Sequence, residues 1–574
     1  MTSGAQSVSV AMVGSGGAGV LTTGEMLLEA ACAAGLDGLL TRSVGPQIRG
    51  GEAASLLRLA REPVECMADR FDLLVGIDWV NADRFGDEIP LADSSVLVCD
   101  SAAGAPPPMA AKAKRVIELP LSELTKAHPS WRANMIALGA AGNLLGLEES
   151  ILHGVISKRF AQKGEAVAAA NVEAAVAGAR AVEAQRGWVG LAPVADKTGK
   201  RWLITGNEAV ALGAVLGGVR FAAAYPITPA SDILEWLAPN LTKVGGTLVQ
   251  AEDELASVNM IIGASYGGVP SLTATSGPGL SLMVESLGLA TASEVPIVIV
   301  DVMRGGPSTG IPTKSEQSDL NIAIYGMHGD APHLVIAPQS VADCWLSAQW
   351  ATGLAEALQT PAILLSDQFL GQAQTAIARP AERPPVGRRL VPHEAQSPYR
   401  RYALESGTVS PMSIPGTRGC TYTADGLTHT ERGTPTSGAR DHLAQLDKRR
   451  DKLDAHPYGS LWATLEGTGG TAVLTWGSLT GVVREGIAQA RAAGVSARLI
   501  APRLLSPTRP AEMSAALAGV ERLLVVEQSH GAQFLKYLRA HYDLPANVSV
   551  LHRPGPLPIR PHEVCRRLLE GESR

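Results

Sequence analysis

The six cysteines of this chain are too scattered to form a recognisable cysteine motif. No C-x-x-C pair occurs among them, and they stand at Cys32, Cys66, Cys99, Cys344, Cys420 and Cys565. A disulfide framework or a cysteine run that binds an iron–sulfur cluster requires closer spacing. We therefore predict no metal site in this chain, and any cluster that its activity needs must lie on a partner.

The chain also lacks a basic excess and a long apolar run. Its formal net charge is −6 and only 18% of its residues are charged, so neither nucleic acid nor an anionic membrane is favoured as a partner. Gly, Arg or Asp interrupts every apolar stretch before it reaches membrane-spanning length. The segment Met1–Ala5 has no basic n-region of a signal peptide, which predicts a cytoplasmic protein.

What the 574 residues do contain is a repeated pattern of apolar strand, glycine turn and alanine-rich helix. It begins at Val8–Val13, restarts at Trp202–Gly206 and restarts again at Ala472–Gly477. Strands that alternate with helices indicate parallel sheets covered by helices on both faces. The sequence therefore predicts an α/β protein with three doubly wound parallel-sheet domains.

Composition shifts predict the domain boundaries. The first domain is placed at residues 1–190, the second at 200–380 and the last at 461–574. Between them, residues 381–460 are rich in Pro, Arg, Thr and Gly and form a predicted extended linker, with one helical patch from Arg440 to Leu453. Two interpretations of this linker stay open: it is disordered, or it wraps a neighbouring domain or subunit.

Three short islands in the second domain carry polar groups suited to chemistry: Tyr225–Pro229, Glu252–Glu254 and Arg304–Thr313. Thr228 precedes a proline and is predicted to be a helix N-cap, where the free N–H groups attract a carboxylate or phosphate. Each island also has a purely structural interpretation. Helix capping alone is sufficient to explain a Thr-Pro pair, and the helix dipole alone is sufficient to explain acids in a first helical turn.

A wider pattern favours the chemical interpretation. Downstream of Glu254 come the turn Thr273–Gly279, a helix with Glu285, and a predicted buried strand at Val295–Val300. This arrangement resembles the pyrimidine-binding domain of thiamine diphosphate enzymes. The resemblance implies that Glu254 contacts N1′ of the aminopyrimidine, where a charge-assisted hydrogen bond promotes loss of the C2 proton. Glu252 and Asp253 are the alternatives.

Together the Y-P-I-T-P and R-G-G-P-S-T-G-I-P-T islands resemble the 2-oxoacid:ferredoxin oxidoreductases more specifically. The resemblance implies that Thr228 and Arg304 lie at the substrate, where the planar guanidinium can bind a carboxylate through two hydrogen bonds. It adds Thr313 as a further substrate residue, although a loop threonine after proline can be structural. It also implies that the cofactor is contacted by Tyr225, Pro226 and Ile227.

The first domain resembles the gamma module of the same family, which is associated with coenzyme A. Its glycine loop, with Gly14, Gly16, Gly17 and Gly19, follows a strand and opens a helix, so it could hold phosphates. The loop also resembles a dinucleotide fingerprint, but the acid about twenty residues on, Asp37, is not at the predicted end of a second strand. Arg49 is assigned to coenzyme A or the substrate, with a surface ion pair as the alternative.

The remaining segments narrow the resemblance and show what the chain lacks. Gly426–Thr436 and Lys448–Leu453 resemble fused gamma-alpha chains of the 2-oxoglutarate type. Val525–Gln533 resembles the C-terminal helper domain, similar to that of transketolase, and His530 in it is interpreted as structural. The chain has no G-D-G followed about 25 residues later by Asn, the Mg²⁺ and diphosphate motif of thiamine enzymes. The beta subunit of the family supplies that motif and a [4Fe-4S] cluster.

The resemblance therefore implies the gamma-alpha subunit of a 2-oxoglutarate:ferredoxin oxidoreductase, active only with its beta subunit. Such an enzyme converts a 2-oxo acid and coenzyme A reversibly to acyl-CoA and CO₂ with ferredoxin as electron carrier, and in reverse it serves a reductive tricarboxylic acid cycle. A heterotetramer of two gamma-alpha and two beta chains is expected. The alternatives are the same chemistry on pyruvate or branched-chain oxo acids, an NAD-linked Rossmann dehydrogenase, and a scaffolding subunit.

Overall fold

The computed structural model describes residues 6–45, 51–191, 201–379, 386–392, 398–404 and 409–571. Arg49 lies outside these ranges, so its assignment stays a prediction. None of the helices in these ranges is both long and apolar enough to cross a membrane.

The strands of the described ranges are β1 (Ser7–Ser15), β2 (Asp37–Val44), β3 (Glu52–Ala60), β4 (Phe71–Gly76), β5 (Leu91–Cys99), β6 (Arg115–Glu118), β7 (Arg201–Thr205), β8 (Phe221–Ala224), β9 (Thr247–Gln250), β10 (Ser271–Thr275), β11 (Val298–Met303), β12 (Leu334–Ile336), β13 (Ala362–Asp367), β14 (Gln374–Ala378), β15 (Ala463–Glu466), β16 (Thr471–Leu474), β17 (Arg498–Pro502), β18 (Leu504–Ser506), β19 (Arg522–Glu527) and β20 (Asn547–His552).

The helices of the same ranges are α1 (Val20–Ala33), α2 (Leu121–Ala127), α3 (Ala133–Leu144), α4 (Glu149–Phe160), α5 (Glu165–Ala181), α6 (Gly206–Gly217), α7 (Ser231–Asn240), α8 (Glu254–Tyr266), α9 (Gly277–Ala292), α10 (Leu320–Tyr325), α11 (Val341–Leu358), α12 (Gln368–Gln372), α13 (Ala439–Asp454), α14 (Leu479–Ala492), α15 (Pro510–Leu517), α16 (Gln533–His541) and α17 (Pro561–Glu570).

These elements form three sheets, which confirms the predicted α/β class. The chain folds into two compact units: Met1–Thr205 with Gln372–Arg379 and Arg560–His562, and the remainder. The first unit holds one sheet of order β6-β5-β4-β1-β3-β2-β14-β7. In it β1 pairs in parallel with β4 but antiparallel with β3, so this sheet is mixed. The predicted domain boundaries stay predictions.

Successive side chains of β1 point to opposite faces of the sheet, and they contribute to a buried core on each face. Val10 and Met12 belong to one buried apolar cluster, together with residues of α1 and α3. Ala11 and Val13 belong to a second cluster, together with Phe71. Successive side chains of a strand point to opposite faces, so an unbroken apolar strand is buried on both sides.

The second unit contains the other two sheets. One has the order β18-β12-β13-β11-β10-β8-β9, and the other has the order β15-β17-β16-β19-β20. In the first of these, β8 to β13 are parallel and β18 joins antiparallel to β12. Strand β11 begins at Val298, three residues later than predicted, because α9 runs to Ala292 and Glu294 turns the chain with a φ of 52°.

Glu294 is also the centre of a buried charge cluster that fixes part of the predicted linker. We call Glu294, Arg401, Lys448 and Lys452 the Glu294 cluster. Lys448 Nζ lies 2.7 Å from Oε1 of Glu294, Lys452 Nζ lies 2.9 Å from Oε2, and Arg401 donates to the Glu294 carbonyl at 2.9 Å. All four side chains are buried. The described part of residues 398–454 therefore wraps the second unit.

The charges of this cluster explain how a carboxylate can be fully buried. Burial alone raises the pKa of Glu294, but the ammonium groups of Lys452 and Lys448 outweigh it and hold the pKa far below its usual range. Burial also lowers the pKa of Lys452 to about 8, against the opposing charge of Glu294. A buried ion of this kind is stable only while its partners remain in place.

Candidate active site

The predicted site residues of the second unit follow four neighbouring strands. Strands β9, β8, β10 and β11 are adjacent and parallel, so their carboxyl ends meet at one edge of the sheet. Thr228 follows β8, Glu254 follows β9, Gly277 follows β10 and Arg304 follows β11. Ligands of open parallel sheets bind at this edge. The topology thus brings together groups that are up to 76 residues apart in sequence.

Thr228 lies at this edge but does not cap the helix, which corrects the prediction. Helix α7 begins at Ser231, and its N-cap is Ala230, which makes no side-chain capping bond. The carbonyl of Ile227 instead accepts from the N–H groups of Ala230 and Ser231, so a turn separates Thr228 from the helix. The hydroxyl of Thr228 is therefore not committed to capping α7.

Glu254 is the first residue of α8 and the buried acid of its island. Glu252 and Asp253 are exposed, and the Asp253 side chain caps the helix by accepting from the N–H of Ala256 at 2.7 Å. Glu254 is 8% exposed. Its carboxylate has no hydrogen-bond partner in the part of the chain that the structure describes. Of the three acids, Glu254 is the one placed to bind a buried ligand.

The G-P-G turn after β10 gives both Glu254 and a second acid the room they need. A Cβ atom at Gly279 would lie 2.8 Å from Oε1 of Glu254. A Cβ atom at Gly277 would lie 2.6 Å from Oδ2 of Asp319. Both distances are shorter than a side chain tolerates, so each glycine admits a carboxylate.

Arg304 contacts the Thr228 loop directly. Its Nη1 donates to the Thr228 carbonyl at 2.5 Å, and its Nε is buried without a partner. Burial lowers the pKa of Arg304, while the charge of Asp319 opposes that shift. The guanidinium forms no ion pair with any described carboxylate, so donors remain for an incoming anion. The structure thus brings the predicted substrate residues Thr228 and Arg304 together.

A cavity of about 870 Å³ opens beside Arg304. Its lining includes polar side chains and the G-P-G turn, among them Pro278, Ser281, Ser308, Asn321 and Gln533. His530, interpreted from sequence as structural, also lines it. Thr313 is buried in the same loop but is not part of the lining, so its substrate role stays a prediction. A cavity of this size accommodates a small organic acid.

Acidic residues beside Arg304 were missed by sequence reasoning. Burial and the charge of Glu316 raise the pKa of Asp319 to about 7, against the opposing charge of Arg304. Burial, with the charge of Asp319, raises the pKa of Asp301 well above its usual range. Asp301 lies on β11, three residues before Arg304, and Asp319 precedes α10. No spacing in the sequence links these two acids to Arg304, so the sequence carried no signal for them.

In the first unit, the glycine loop follows β1 and precedes α1, as expected, with Gly19 as the N-cap residue at a φ of 78°. Its donors are partly occupied by the protein itself. The N–H of Ser15 donates to both carboxylate oxygens of Asp78, at 2.9 and 3.0 Å, and the hydroxyl donates at 2.8 Å. Asp37 is buried and ion-paired with Arg201. The coenzyme A role of the loop stays a prediction.

Comparison with known families matches two parts of the chain. Residues 212–448 match the family described as pyruvate flavodoxin/ferredoxin oxidoreductase, thiamine diphosphate-binding. Residues 9–181 match the family described as pyruvate ferredoxin/flavodoxin oxidoreductase. The first match includes all the site residues at the sheet edge, and the second includes the glycine loop.

Individual proteins similar to this chain carry names from the same family. The alpha subunit of 2-oxoacid:ferredoxin oxidoreductase 2 from Aeropyrum pernix is 32% identical over 84% of this chain and 79% of its own length. 2-Oxoglutarate synthase subunit KorA from Methanothermobacter marburgensis is 35% identical over 64% of this chain and 99% of its own. The 2-oxoglutarate:ferredoxin oxidoreductase of Magnetococcus marinus, solved with 2-oxoglutarate, coenzyme A and succinyl-CoA bound, is 35% identical. The alignment covers 99% of this chain and 100% of that one, with a TM-score of 0.90. The chain therefore belongs to the 2-oxoacid:ferredoxin oxidoreductase family, in which it corresponds to the alpha subunit.

Proposed function

We propose that this chain is the gamma-alpha subunit of a 2-oxoglutarate:ferredoxin oxidoreductase. The reaction converts 2-oxoglutarate, coenzyme A and two oxidised ferredoxins to succinyl-CoA, CO₂, two reduced ferredoxins and a proton. The observation that carries the proposal is the convergence of Thr228, Glu254 and Arg304 at one sheet edge, where Arg304 also lines the cavity. The relation to the Magnetococcus marinus enzyme over the whole chain supports 2-oxoglutarate over pyruvate or a branched-chain acid.

The residues at this edge fit the pyrimidine half of thiamine diphosphate. Glu254 offers a buried carboxylate with no described partner, and the hydroxyl of Ser276 is also buried and unpartnered. A ring nitrogen that donates to the Glu254 carboxylate would give this group the hydrogen-bond partner that the described residues do not provide. When bound, thiamine diphosphate supplies the carbon that attacks the 2-oxo group and accepts the electrons of decarboxylation. Glu254 holds the proton at N1′ that promotes this activation.

Arg304 and Thr228 then orient the 2-oxo acid. The planar guanidinium binds the carboxylate next to the oxo group, because two parallel N–H donors match its two oxygens. Its bond to the Thr228 carbonyl fixes the guanidinium against the Y-P-I-T-P loop. The substrate is thereby held in one orientation before the reaction, which removes part of the entropic barrier.

The remaining parts of the enzyme are assigned by the same proposal. The glycine loop of the first unit serves coenzyme A, and Arg49 and Thr313 contribute to the substrates. A beta subunit supplies Mg²⁺, the diphosphate-binding half and a [4Fe-4S] cluster, in a heterotetramer of two gamma-alpha and two beta chains. The complex acts in the cytoplasm, and its reverse reaction fixes CO₂ in a reductive tricarboxylic acid cycle.

Substituting Arg304 by Lys in the assembled enzyme tests the substrate role. Lysine keeps the charge but loses the planar fork, which puts roughly 1.5–3 kcal/mol of charge-assisted hydrogen bonding at risk. We expect kcat/KM for the 2-oxo acid to fall about ten- to a hundredfold, measured by ferredoxin reduction with a panel of 2-oxo acids. Thr228→Ala should show a smaller loss of the same kind.

The matched control is Arg432→Lys at an exposed arginine, which should leave kcat/KM within about twofold of the original enzyme. Exchange of the thiamine C2 proton should be unchanged in Arg304→Lys, because that step precedes substrate binding. The role assigned to Arg304 would be abandoned if C2 exchange slowed as much as turnover, or if kcat/KM held for every oxo acid. If the enzyme preferred a 2-oxo acid other than 2-oxoglutarate, the proposed substrate would be wrong, but the proposed reaction would be unaffected.

Purifying the chain without a partner tests its assignment as a subunit. The six cysteines are scattered along the sequence, which lacks a cluster-binding run. We expect iron and sulfide analysis to find no stoichiometric cluster, and ferredoxin reduction to be negligible until the beta subunit is added. A stoichiometric cluster in the isolated chain would contradict this division between subunits.

A further inference from the structure

Three carboxyl groups form an acidic cluster near Arg304: Asp319, whose charge acts on Arg304, Glu316, whose charge acts on Asp319, and Asp301, on which Asp319 acts. Asp319 and Glu316 line the cavity together with Arg304. Asp301 is fully buried, and neither of its carboxyl oxygens has a hydrogen-bond partner. Oδ2 of Asp319 is likewise buried and unpartnered. Unpartnered buried carboxylates are costly to ionise, so these positions favour bound protons.

The charge of this cluster decides what an incoming anion meets. Arg304 is the cation of the group, and Asp301, Asp319 and Glu316 are its potential anions. If Asp319 is ionised, it offsets Arg304 and repels a substrate carboxylate; if Asp319 is protonated, the charge of Arg304 is available. The remaining titratable side chain of the cavity wall, His530, acts on Glu316 and lowers the pKa that burial of Glu316 raises.

We propose that Asp319 is a positioning residue that sets, through its proton, how strongly Arg304 attracts the carboxylate of the 2-oxo acid. Asp301 is fully buried and unpartnered, so it stays neutral and adds no second negative charge beside Asp319. Gly277 permits the arrangement, because any side chain there would collide with the Asp319 carboxyl group. This inference rests on the proposed function and makes substrate binding depend on the protonation of Asp319.

The sign of the pH effect follows from the raised pKa of Asp319. Burial and Glu316 raise that pKa to about 7, so the carboxyl group is neutral below this pH and charged above it. Binding of the oxo acid should therefore weaken as the pH rises through 7. One group can change binding by at most about tenfold per pH unit above its pKa. We expect KM for the 2-oxo acid to rise by about fivefold or more between pH 6.5 and 8.5.

The experiment measures two pH profiles on the complex assembled with its partner subunit. One is KM for the 2-oxo acid, and the other is the inhibition constant of the matching 2-hydroxy acid, which binds without reacting. In Asp319→Asn both constants should vary less than about twofold between pH 6.5 and 8.5. In Asp301→Asn, which stays neutral, the rise should persist. A purely structural Asp319 would instead lower thermal stability or kcat at every pH and leave the slope unchanged.

Glu316→Gln provides an independent test, including the case in which Asp319→Asn fails to assemble. Removing the Glu316 charge should lower the pKa of Asp319 and move the rise in both constants to lower pH. Wild-type slopes in Asp319→Asn, or an unmoved midpoint in Glu316→Gln, would overturn the proposal. An active enzyme with either result would leave the proposed function intact, whereas a complex that turns over no 2-oxo acid would refute the proposed function itself.

Discussion

Glu254→Gln should slow exchange of the thiamine C2 proton in the assembled enzyme by about two to four orders of magnitude. Glutamine keeps the shape of the side chain and one hydrogen bond, but it has no negative charge to offer N1′ of the pyrimidine. Glu254 is buried and without a described partner, so no neighbouring carboxylate can replace it from the same position. Exchange is followed by NMR after transfer of the complex to deuterated water and acid quench.

Glu252→Gln is the matched control, because Glu252 lies two residues earlier in the same island and is exposed. It should leave the exchange rate within about twofold of the original enzyme. Thiamine affinity of Glu254→Gln, measured by calorimetry, should fall far less than its exchange rate. If C2 exchange in Glu254→Gln equalled that of the wild type, the N1′ role would pass to another acid, with Glu252 the first to examine.

Glu294→Gln should release α13 and the chain before it from the second unit. The substitution leaves the ammonium groups of Lys448 and Lys452 buried without an anion. Removing one partner of a buried ion pair costs about 3–5 kcal/mol. The population of the open form should therefore rise by roughly 10²- to 5 × 10³-fold, which native-state proteolysis detects as faster tryptic cleavage within residues 409–454.

The control is Glu285→Gln, at an exposed carboxylate on α9, the helix that leads to Glu294. Its cleavage rate should match that of the wild type. Replacing both lysines by Met along with Glu294→Gln should restore part of the protection, because the buried charges then disappear together. Cleavage of Glu294→Gln at the wild-type rate would show that the cluster does not hold the segment.

Local sequence was enough to predict the parts of the site that depend on short spacing. A run of acids after an apolar strand predicted a helix that opens at Glu252–Glu254, and α8 begins at Glu254. The turn Thr273–Gly279 was predicted at the end of a strand, and β10 ends within it at Thr275. The three restarts of strand and helix predicted three sheets because each strand carries its own apolar pattern. Thr228 was misassigned because the Thr-Pro pair fits an N-cap, whereas the turn that follows it postpones the helix to Ser231.

Contacts between distant segments could not be predicted in this way. Asp301 and Asp319 are brought together by loop geometry around Arg304, and their raised pKa values depend on burial that no spacing reveals. The Glu294 cluster joins residues 154 and 158 positions apart. Lysines on a charged helix normally predict a solvated face, so the burial of Lys448 and Lys452 runs against the sequence pattern.

The strand order of the first unit has a consequence for how the protein is made. Strand β2 pairs with β14, and the hydroxyl of Thr375 donates to the carbonyl of Gly38 across 337 residues of chain. A ribosome adding 5–20 residues per second takes roughly 20–70 s to cover that distance. During that interval the backbone N–H and C=O groups that β2 later pairs with β14 are available to strands of other nascent chains. A chaperone that shields this edge during translation would raise the yield of native protein without contacting the finished site.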